Sequence, residues 1–143
     1  MKKYLLYVSL IVLILSCNKS EFLDKVNFQK FLLAGSGNYE NTKHTWFLDS
    51  LVINGTPKVL SIKEKLYNRT YDHNGTFYDS DGYSGKWDIQ KNNELITLFK
   101  NNFTSTFVES KWVIKEITST KLIYQITNPD NSKYDYYFKI SYE

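Results

Sequence analysis

Apolar and polar residues alternate along most of the chain beyond its first third, and this period of two is typical of β-strands with one buried and one exposed face. The clearest case is the last segment, in which Tyr134, Tyr136, Phe138, Ile140 and Tyr142 fall on one face. Asn-Gly, Asp-Gly and Asn-Pro pairs mark turns between the segments. The pattern predicts eight strands, at Thr45–Ile53, Val59–Tyr71, Thr76–Asp79, Tyr83–Gln90, Glu94–Lys100, Phe103–Ile117, Lys121–Thr127 and Tyr134–Tyr142. It predicts no helix beyond residue 43.

Short turns between consecutive strands favour antiparallel neighbours. Eight strands joined in series therefore predict a mainly β domain, folded as an antiparallel up-and-down barrel, because closing the sheet removes the edge strands that an open sheet would expose. A β-sandwich built from the same strands is the alternative. One domain also agrees with the length of the chain, which is 143 residues.

The segment Glu21–Ala34 has a helical period instead. Val26, Gln29 and Leu33 fall near one stripe of the predicted helix. The run Gly35–Gly37 supplies a stop, because glycine adopts the left-handed conformation of a helix C-terminus at little cost. We therefore predict one short N-terminal helix that packs against the end or the side of the β domain.

The amino terminus carries a different pattern. Lys2 and Lys3 precede Tyr4–Leu15, a run of residues without charge that ends two positions before Cys17, the sole cysteine. A transmembrane helix needs about 18 or more apolar residues, so this run is too short to span a bilayer. A basic start followed by a short apolar run is typical of a secretory signal peptide.

Charge and composition exclude some classes of function. Once Lys2 and Lys3 are left out, 16 of the 18 basic residues remain against 15 acidic ones, so the rest of the chain is almost neutral. Arg69 is the sole arginine. Without a basic stripe or an arginine cluster, we expect no nucleic-acid binding. Aromatic residues make up 17% of the chain, and they favour the half-buried surfaces of strands.

Catalytic motifs are missing from the sequence. It contains no Gly-x-Ser-x-Gly elbow, no His-Glu-x-x-His pair and no phosphate-binding glycine loop. His73 falls in a predicted hairpin tip, where a solvated turn residue is expected. The segment Asp79–Gly82 has the carboxylate spacing with which a calcium loop begins, but it lacks the distal glutamate. We therefore predict a β-turn there, no metal, no cofactor and no enzymatic activity.

The tetrapeptide Ile14-Leu15-Ser16-Cys17 resembles the lipobox of bacterial lipoproteins. In that family the cysteine sulfur receives a diacylglyceryl group, a peptidase cuts before the cysteine, and the new amino terminus receives an acyl chain such as palmitate. The resemblance implies a signal peptide at residues 1–16, a lipidated tether at 17–20 and a domain at 21–143. It also implies attachment through Cys17 to the outer membrane, on its periplasmic or cell-surface face. The alternatives are an ordinary signal peptide with an incidental cysteine and a short buried core segment.

Three stretches, HTWFLDSLVING, NGTFYDSDGYSGKWDI and SKWVIKEITSTKLIY, resemble in order the small lipocalin-like lipoproteins of Gram-negative bacteria. The likeness covers about residues 22–142 and consists of aromatic anchors and turns. True lipocalins have a glycine two residues before the first tryptophan, where this chain has His44. Their late arginine, which packs on that tryptophan, has no obvious counterpart here. The resemblance implies an eight-stranded lipocalin-like barrel.

Together these features predict a non-catalytic, outer-membrane lipoprotein that binds a small apolar ligand or a partner protein. Bulky residues on inward faces predict a barrel that is filled or nearly filled. The alternative is a carbohydrate-binding or adhesion module on the cell surface. The candidate ligand-binding residues are Trp46, Trp87, Trp112, Tyr124, Tyr136 and Phe138.

Overall fold

The computed structural model describes residues 25–35, 43–100 and 106–140, without the side chain of Lys91. The predicted signal peptide and tether, with Cys17, lie outside the described residues, and so do the first four residues of the predicted N-terminal helix. The start of the predicted strand 103–117, at 103–105, and the end of the predicted strand 134–142, at 141–142, also lie outside them. Among the described residues, no helix is both long enough and apolar enough to span a membrane.

Nine antiparallel strands form one sheet, and eight of them close into a barrel. The strands are β1 (Lys43–Ile53), β2 (Thr56–Lys58), β3 (Asn68–Asp72), β4 (Thr76–Asp79), β5 (Ser84–Gln90), β6 (Glu94–Lys100), β7 (Phe107–Ile117), β8 (Lys121–Thr127) and β9 (Lys133–Ile140). Each strand from β3 to β8 pairs with the next one along the chain, and β9 pairs in turn with β1. The predicted lipocalin-like up-and-down barrel is therefore confirmed, and the sandwich alternative is not the fold.

Strand β1 carries three partners. Its first half pairs with β3, its last residues pair with the short β2, and its other edge pairs with β9. A bulge between Leu48 and Ser50 inserts Asp49 into β1 as an extra residue that has no register partner on β9. Since one extra residue reverses the alternation of faces, both Leu48 and Leu51 are buried.

The predicted strand Val59–Tyr71 is wrong, and so is the prediction that no helix follows residue 43. Between Val59 and Tyr71 the chain instead forms a loop, a single helical turn and then most of β3, which begins at Asn68. The turn, α2 (Ile62–Lys65), begins with a capping box in which the Ser61 side chain accepts from the Glu64 N–H and the Glu64 carboxylate accepts from the Ser61 N–H. Two backbone donors are satisfied locally, which stabilises the turn against an extended conformation.

The N-terminal helix, α1 (residues 25–34), covers one end of the barrel, here called the base. Leu33 is fully buried, and its carbonyl accepts from Trp46 Nε1 at 2.8 Å. His44 Nδ1 donates to the carbonyl of Leu32 at 3.0 Å. A side-chain bond from Gln29 to Asn93 at 3.1 Å fastens the helix to the turn before β6. The predicted packing of this helix on the end of the β domain is therefore present in the described residues.

Candidate ligand-binding site

The end of the barrel opposite α1, here called the mouth, opens into a cavity of about 310 Å³. We call this cavity the cup. It is lined by Leu48, Leu51, Lys63, Glu64, Tyr67, Asp81, Trp112, Tyr124 and Tyr136. Aliphatic and aromatic side chains of the barrel interior form its walls, whereas the charged residues come from α2 and from the β4–β5 turn.

Three aromatic rings from β7, β8 and β9 form one wall of the cup. Trp112 packs edge-on against Tyr124 with ring centroids 4.5 Å apart, and against Tyr136 at 5.7 Å. Cross-strand pairing sets this arrangement, because Tyr124 lies directly opposite Tyr136 in the β8–β9 ladder. Ring edges and faces therefore point into one small volume, which suits a flat or flexible apolar group.

The tyrosine hydroxyls of the cup are neutral donors. Burial raises the pKa of Tyr67, Tyr124 and Tyr136 above the ordinary value of a phenol. Tyr67 Oη donates to Asp79 Oδ2 at 3.1 Å. The walls thus offer apolar surface with a few polar groups, which is the usual composition of a small-molecule site.

Arg69 lies inside the barrel close to two of the cup residues. Its guanidinium carbon is 5.3 Å from the ring centre of Trp112 and 5.9 Å from that of Tyr67, and Phe77 is 5.1 Å away. Arg69 Nη2 donates to Asp79 Oδ2 at 3.0 Å. Burial alone would lower the pKa of Arg69, but neighbouring phenolic oxygens outweigh it and the pKa is raised, so the side chain is a cation.

Asp79 has all of its acceptor positions in use. Oδ2 accepts from Tyr67 and Arg69, and Oδ1 accepts from the backbone N–H groups of Asp81 and Tyr83, at 3.2 and 3.0 Å. The same carboxylate therefore closes the β4–β5 turn and balances the buried guanidinium. Among the described residues, no group of three His, Cys, Asp or Glu side chains is placed to hold a metal ion.

The rim of the cup is formed by α2. Lys63 Nζ pairs with Asp81 Oδ1 at 2.9 Å, and Lys58 pairs with Glu64. Contacts with Lys58 and with Ser61 lower the pKa of Glu64 from its ordinary 4.5 to about 2. These ion pairs hold α2 over the edge of the opening.

The structure separates the six predicted ligand-binding residues by their depth in the barrel. Trp112, Tyr124 and Tyr136 line the cup. Phe138 lies deeper, 5.1 Å from Tyr124 between ring centres, and is almost fully buried. Trp46 and Trp87 belong to the base and donate to backbone carbonyls, those of Leu33 and Asp72, at 2.8 and 2.9 Å.

Other cavities lie outside the barrel interior. One of about 330 Å³ separates α1 from the β3–β4 hairpin and has Trp87 in its wall, but the Lys30–Asp88 ion pair, at 2.6 Å, borders it. Two shallow grooves of about 630 and 600 Å³ run over the outer surface. The cup is the cavity that reaches into the aromatic interior, and we therefore take it as the candidate site.

Residue types alone did not identify Arg69, Tyr67 or the α2 rim as parts of this site. Arg69 falls on the same face of its strand as Tyr71, which was a signal that the guanidinium points inward. Ser61-Ile62-Lys63-Glu64 has the spacing of a capping box, and this motif was the signal for α2.

The fold and the cup describe a closed β-barrel with a small aromatic cavity at one end, the class of barrel that can hold one small ligand. Comparison of the chain with protein-family models, with curated proteins and with solved structures returns no match.

Proposed function

We propose that this protein is a lipid-anchored, non-catalytic binding protein of the outer membrane, and that the cup takes up a small apolar ligand. The observation that carries the binding function is the convergence of Tyr67, Trp112, Tyr124 and Tyr136 on a cavity open to solvent. A volume of about 310 Å³ is at the small end of ligand pockets, which are roughly 300–1,000 Å³. The ligand is therefore small, because the interior below the cup is filled by side chains.

Attachment to the membrane rests on the sequence around Cys17. Lys25, where the description of α1 begins, follows Cys17 by eight positions, and a fully extended chain of eight residues reaches roughly 28 Å. An acylated Cys17 would thus keep the barrel close to the bilayer. Two or more acyl chains on one cysteine give stable anchoring, whereas one chain binds reversibly.

Binding of a partner protein is the second candidate, and the rim favours it. Val59, Ile62 and Leu66 are 92%, 80% and 68% exposed; Ile62 begins α2, and the other two flank it. Aliphatic side chains grouped at one end of a barrel are typical of an interaction surface. Carbohydrate binding has less support, because the rings of the cup meet edge to face and do not form a flat platform.

Mass spectrometry of the protein purified from envelopes tests the anchor. A mature chain that begins at an acylated Cys17 is the expected result, and Cys17→Ser should release the protein from sedimented envelopes. A mature chain that keeps Met1 and an unmodified Cys17 would contradict the anchor.

Native mass spectrometry of the same preparation tests the binding function. We expect a co-purifying small molecule that is lost in Trp112→Ala and retained in Phe107→Ala, since Phe107 is an exposed aromatic residue on the outer surface. Equal retention in both variants would contradict the assignment of the cup. A photo-crosslinking residue at position 62, compared with one at position 111, tests the partner-protein alternative.

A further inference from the structure

We infer that the ligand of the cup carries a carboxylate, which Arg69 and Tyr71 bind below the aromatic walls. This inference rests on the proposed binding function and names the chemical class of the ligand. Two observations in the barrel interior support it: hydrogen-bond donors without partners, and a tryptophan that is held weakly above them.

The first observation concerns Arg69. The residue is 8% exposed, and its Nε and Nη1 atoms have no hydrogen-bond partner among the described residues, while Nη2 is used by Asp79. A buried donor without an acceptor costs about 1–3 kcal/mol, and more when the group is charged. Asp79 cannot supply the missing acceptor, because its two oxygens already accept four hydrogen bonds.

Tyr71 adds a third group of this kind. It is fully buried, and its hydroxyl also has no hydrogen-bond partner among the described residues. The Arg69 guanidinium lies close enough to donate to the Tyr71 oxygen, although this contact falls outside regular hydrogen-bond geometry, and it leaves the hydroxyl proton without an acceptor. Burial raises the pKa of Tyr71, so the hydroxyl keeps its proton and can donate. One carboxylate could accept from both residues.

The second observation concerns Trp112. Its Nε1 donates to Thr97 Oγ1 at 3.4 Å, whereas the equivalent bonds of Trp46 and Trp87 measure 2.8 and 2.9 Å. Trp112 is half-buried, lines the cup and stacks near the guanidinium. It is therefore the side chain that we expect to move when a head group passes from the cup to Arg69.

Charge favours a carboxylate over other acceptors. A hydrogen bond between a guanidinium and an anion is roughly twice as strong as one between neutral groups, so a carboxylate binds better here than an ester or a hydroxyl. The Arg69–Asp79 pair is neutral overall, and a monoanion adds less buried charge than a phosphate dianion would. The apolar part of the ligand would remain in the cup against Leu48 and Leu51.

Titration with decanoate, methyl decanoate and decanol tests the inference. The full-length protein is held in phospholipid nanodiscs, tryptophan fluorescence reports binding, and empty nanodiscs provide the background. We expect decanoate to bind about tenfold or more tightly than either neutral analogue, which corresponds to one charge-assisted hydrogen bond. Equal affinities for the acid and the ester would overturn the carboxylate inference and leave the proposed function intact. Absence of binding by all three compounds would refute both.

Two variants locate the head group. Tyr71→Phe removes a hydroxyl whose contact with Arg69 is not a regular hydrogen bond, so the fold should persist while decanoate affinity falls several-fold and decanol affinity stays constant. The paired change Arg69→Met with Asp79→Asn removes both buried charges and should abolish the preference for the acid. Tyr78→Phe, at an exposed tyrosine, is the matched control. Unchanged decanoate affinity in Tyr71→Phe, or in the paired variant if it folds, would exclude the site below Trp112.

Discussion

The single arginine of the chain forms a buried ion pair inside the barrel. Arg69 and Asp79 are 8% and 7% exposed, and their side chains meet at 3.0 Å. Taking two charges out of water is costly, so the pair adds little net stability. Removal of one partner alone is strongly destabilising, because the other charge would remain buried and unpaired. The aromatic rings around Arg69 lower the cost of burying its charge through cation–π contacts.

Removal of one partner of the pair should therefore be severe. We expect Asp79→Ala to lower the free energy of unfolding by about 3–5 kcal/mol, because Arg69 would remain buried without a counter-charge. Asp81→Ala removes a neighbouring carboxylate whose ion pair with Lys63 lies at the surface, and it should cost about 1 kcal/mol or less. Urea unfolding measures both. Equal losses of unfolding free energy in the two variants would show that breaking the buried pair costs no more than breaking the surface pair.

Ionisation of the Glu64 carboxyl at the rim of the cup makes the stability of the fold depend on pH. Its pKa is lower in the folded protein, about 2 against an ordinary 4.5. A carboxyl with a depressed pKa stabilises the fold above its unfolded value, and this contribution is lost as the pH falls from about 4.5 through 2. We expect Glu64→Gln to cost up to about 1 kcal/mol near neutral pH, and most of this difference should be gone near pH 2, where about half of the carboxyl is protonated.

Unfolding free energies of the wild type and Glu64→Gln, measured at several pH values, check this expectation. Glu109→Gln, which removes a surface carboxylate paired with Lys111, is the control for the loss of a negative charge. A Glu64→Gln difference that stays constant from neutral pH to pH 2 would show that the capping box and Lys58 do not hold this carboxyl.

Elements were predictable where a regular period coincided with clear turns. The bounds of β6 and β8 agree with the predicted segments Glu94–Lys100 and Lys121–Thr127, because alternation and turn residues agree there. The bulge at Asp49 could not be predicted, since it depends on pairing with a distant strand. The segment before β3 was included in a predicted strand because it lies between two turn signals, although Val59 and Ile62 are exposed.

Within the site, the period of a strand indicates which side chains point inward but not how deep they lie along the barrel. Trp46, Trp87 and Trp112 were therefore equivalent candidates, and the structure places two of them at the base and one in the cup. Arginine is typically exposed, so the inward-facing signal at Arg69, which shares a strand face with Tyr71, was outweighed by residue type. Depth and pairing are tertiary properties, and residue types alone do not determine them.

Helix α1 should matter to stability through its inner face. Leu33 is fully buried, and its backbone carbonyl accepts a hydrogen bond from Trp46. We expect Leu33→Ala to lower the free energy of unfolding by about 2–5 kcal/mol, the cost of deleting a buried leucine side chain. Phe28→Ala, on the exposed face of the same helix, should change it by about 0.5 kcal/mol or less. Comparable losses in chemical denaturation would contradict the packing of α1 on the base.

At the scale of the whole molecule, closure of the barrel depends on its first and last strands. Trp46 pairs with Ile140 and Ile53 pairs with Tyr134, so β1 and β9 meet although most of the chain lies between them. Without β9, the facing edges of β1 and β8 would both lose their partners. Open edges expose unpaired backbone groups and favour association with other chains.

A chain that ends at Thr127 should therefore fail to fold. We expect it to lose the cooperative thermal transition and to elute as aggregates in size-exclusion chromatography. A chain that ends at Ile140 retains β9 and should behave like the full-length protein. A cooperative, monomeric Thr127 truncation would show that the β1–β9 ladder is dispensable.

The distant pairing of β1 with β9 also governs when the native state can arise. Contacts between residues far apart in sequence form slowly, because the entropy of closing the intervening loop must be overcome first. A nascent polypeptide has to expose almost its entire length before Trp46 can meet Ile140. Under the export proposed above, a translocation pore that accepts only extended polypeptides would receive the chain before the barrel closes.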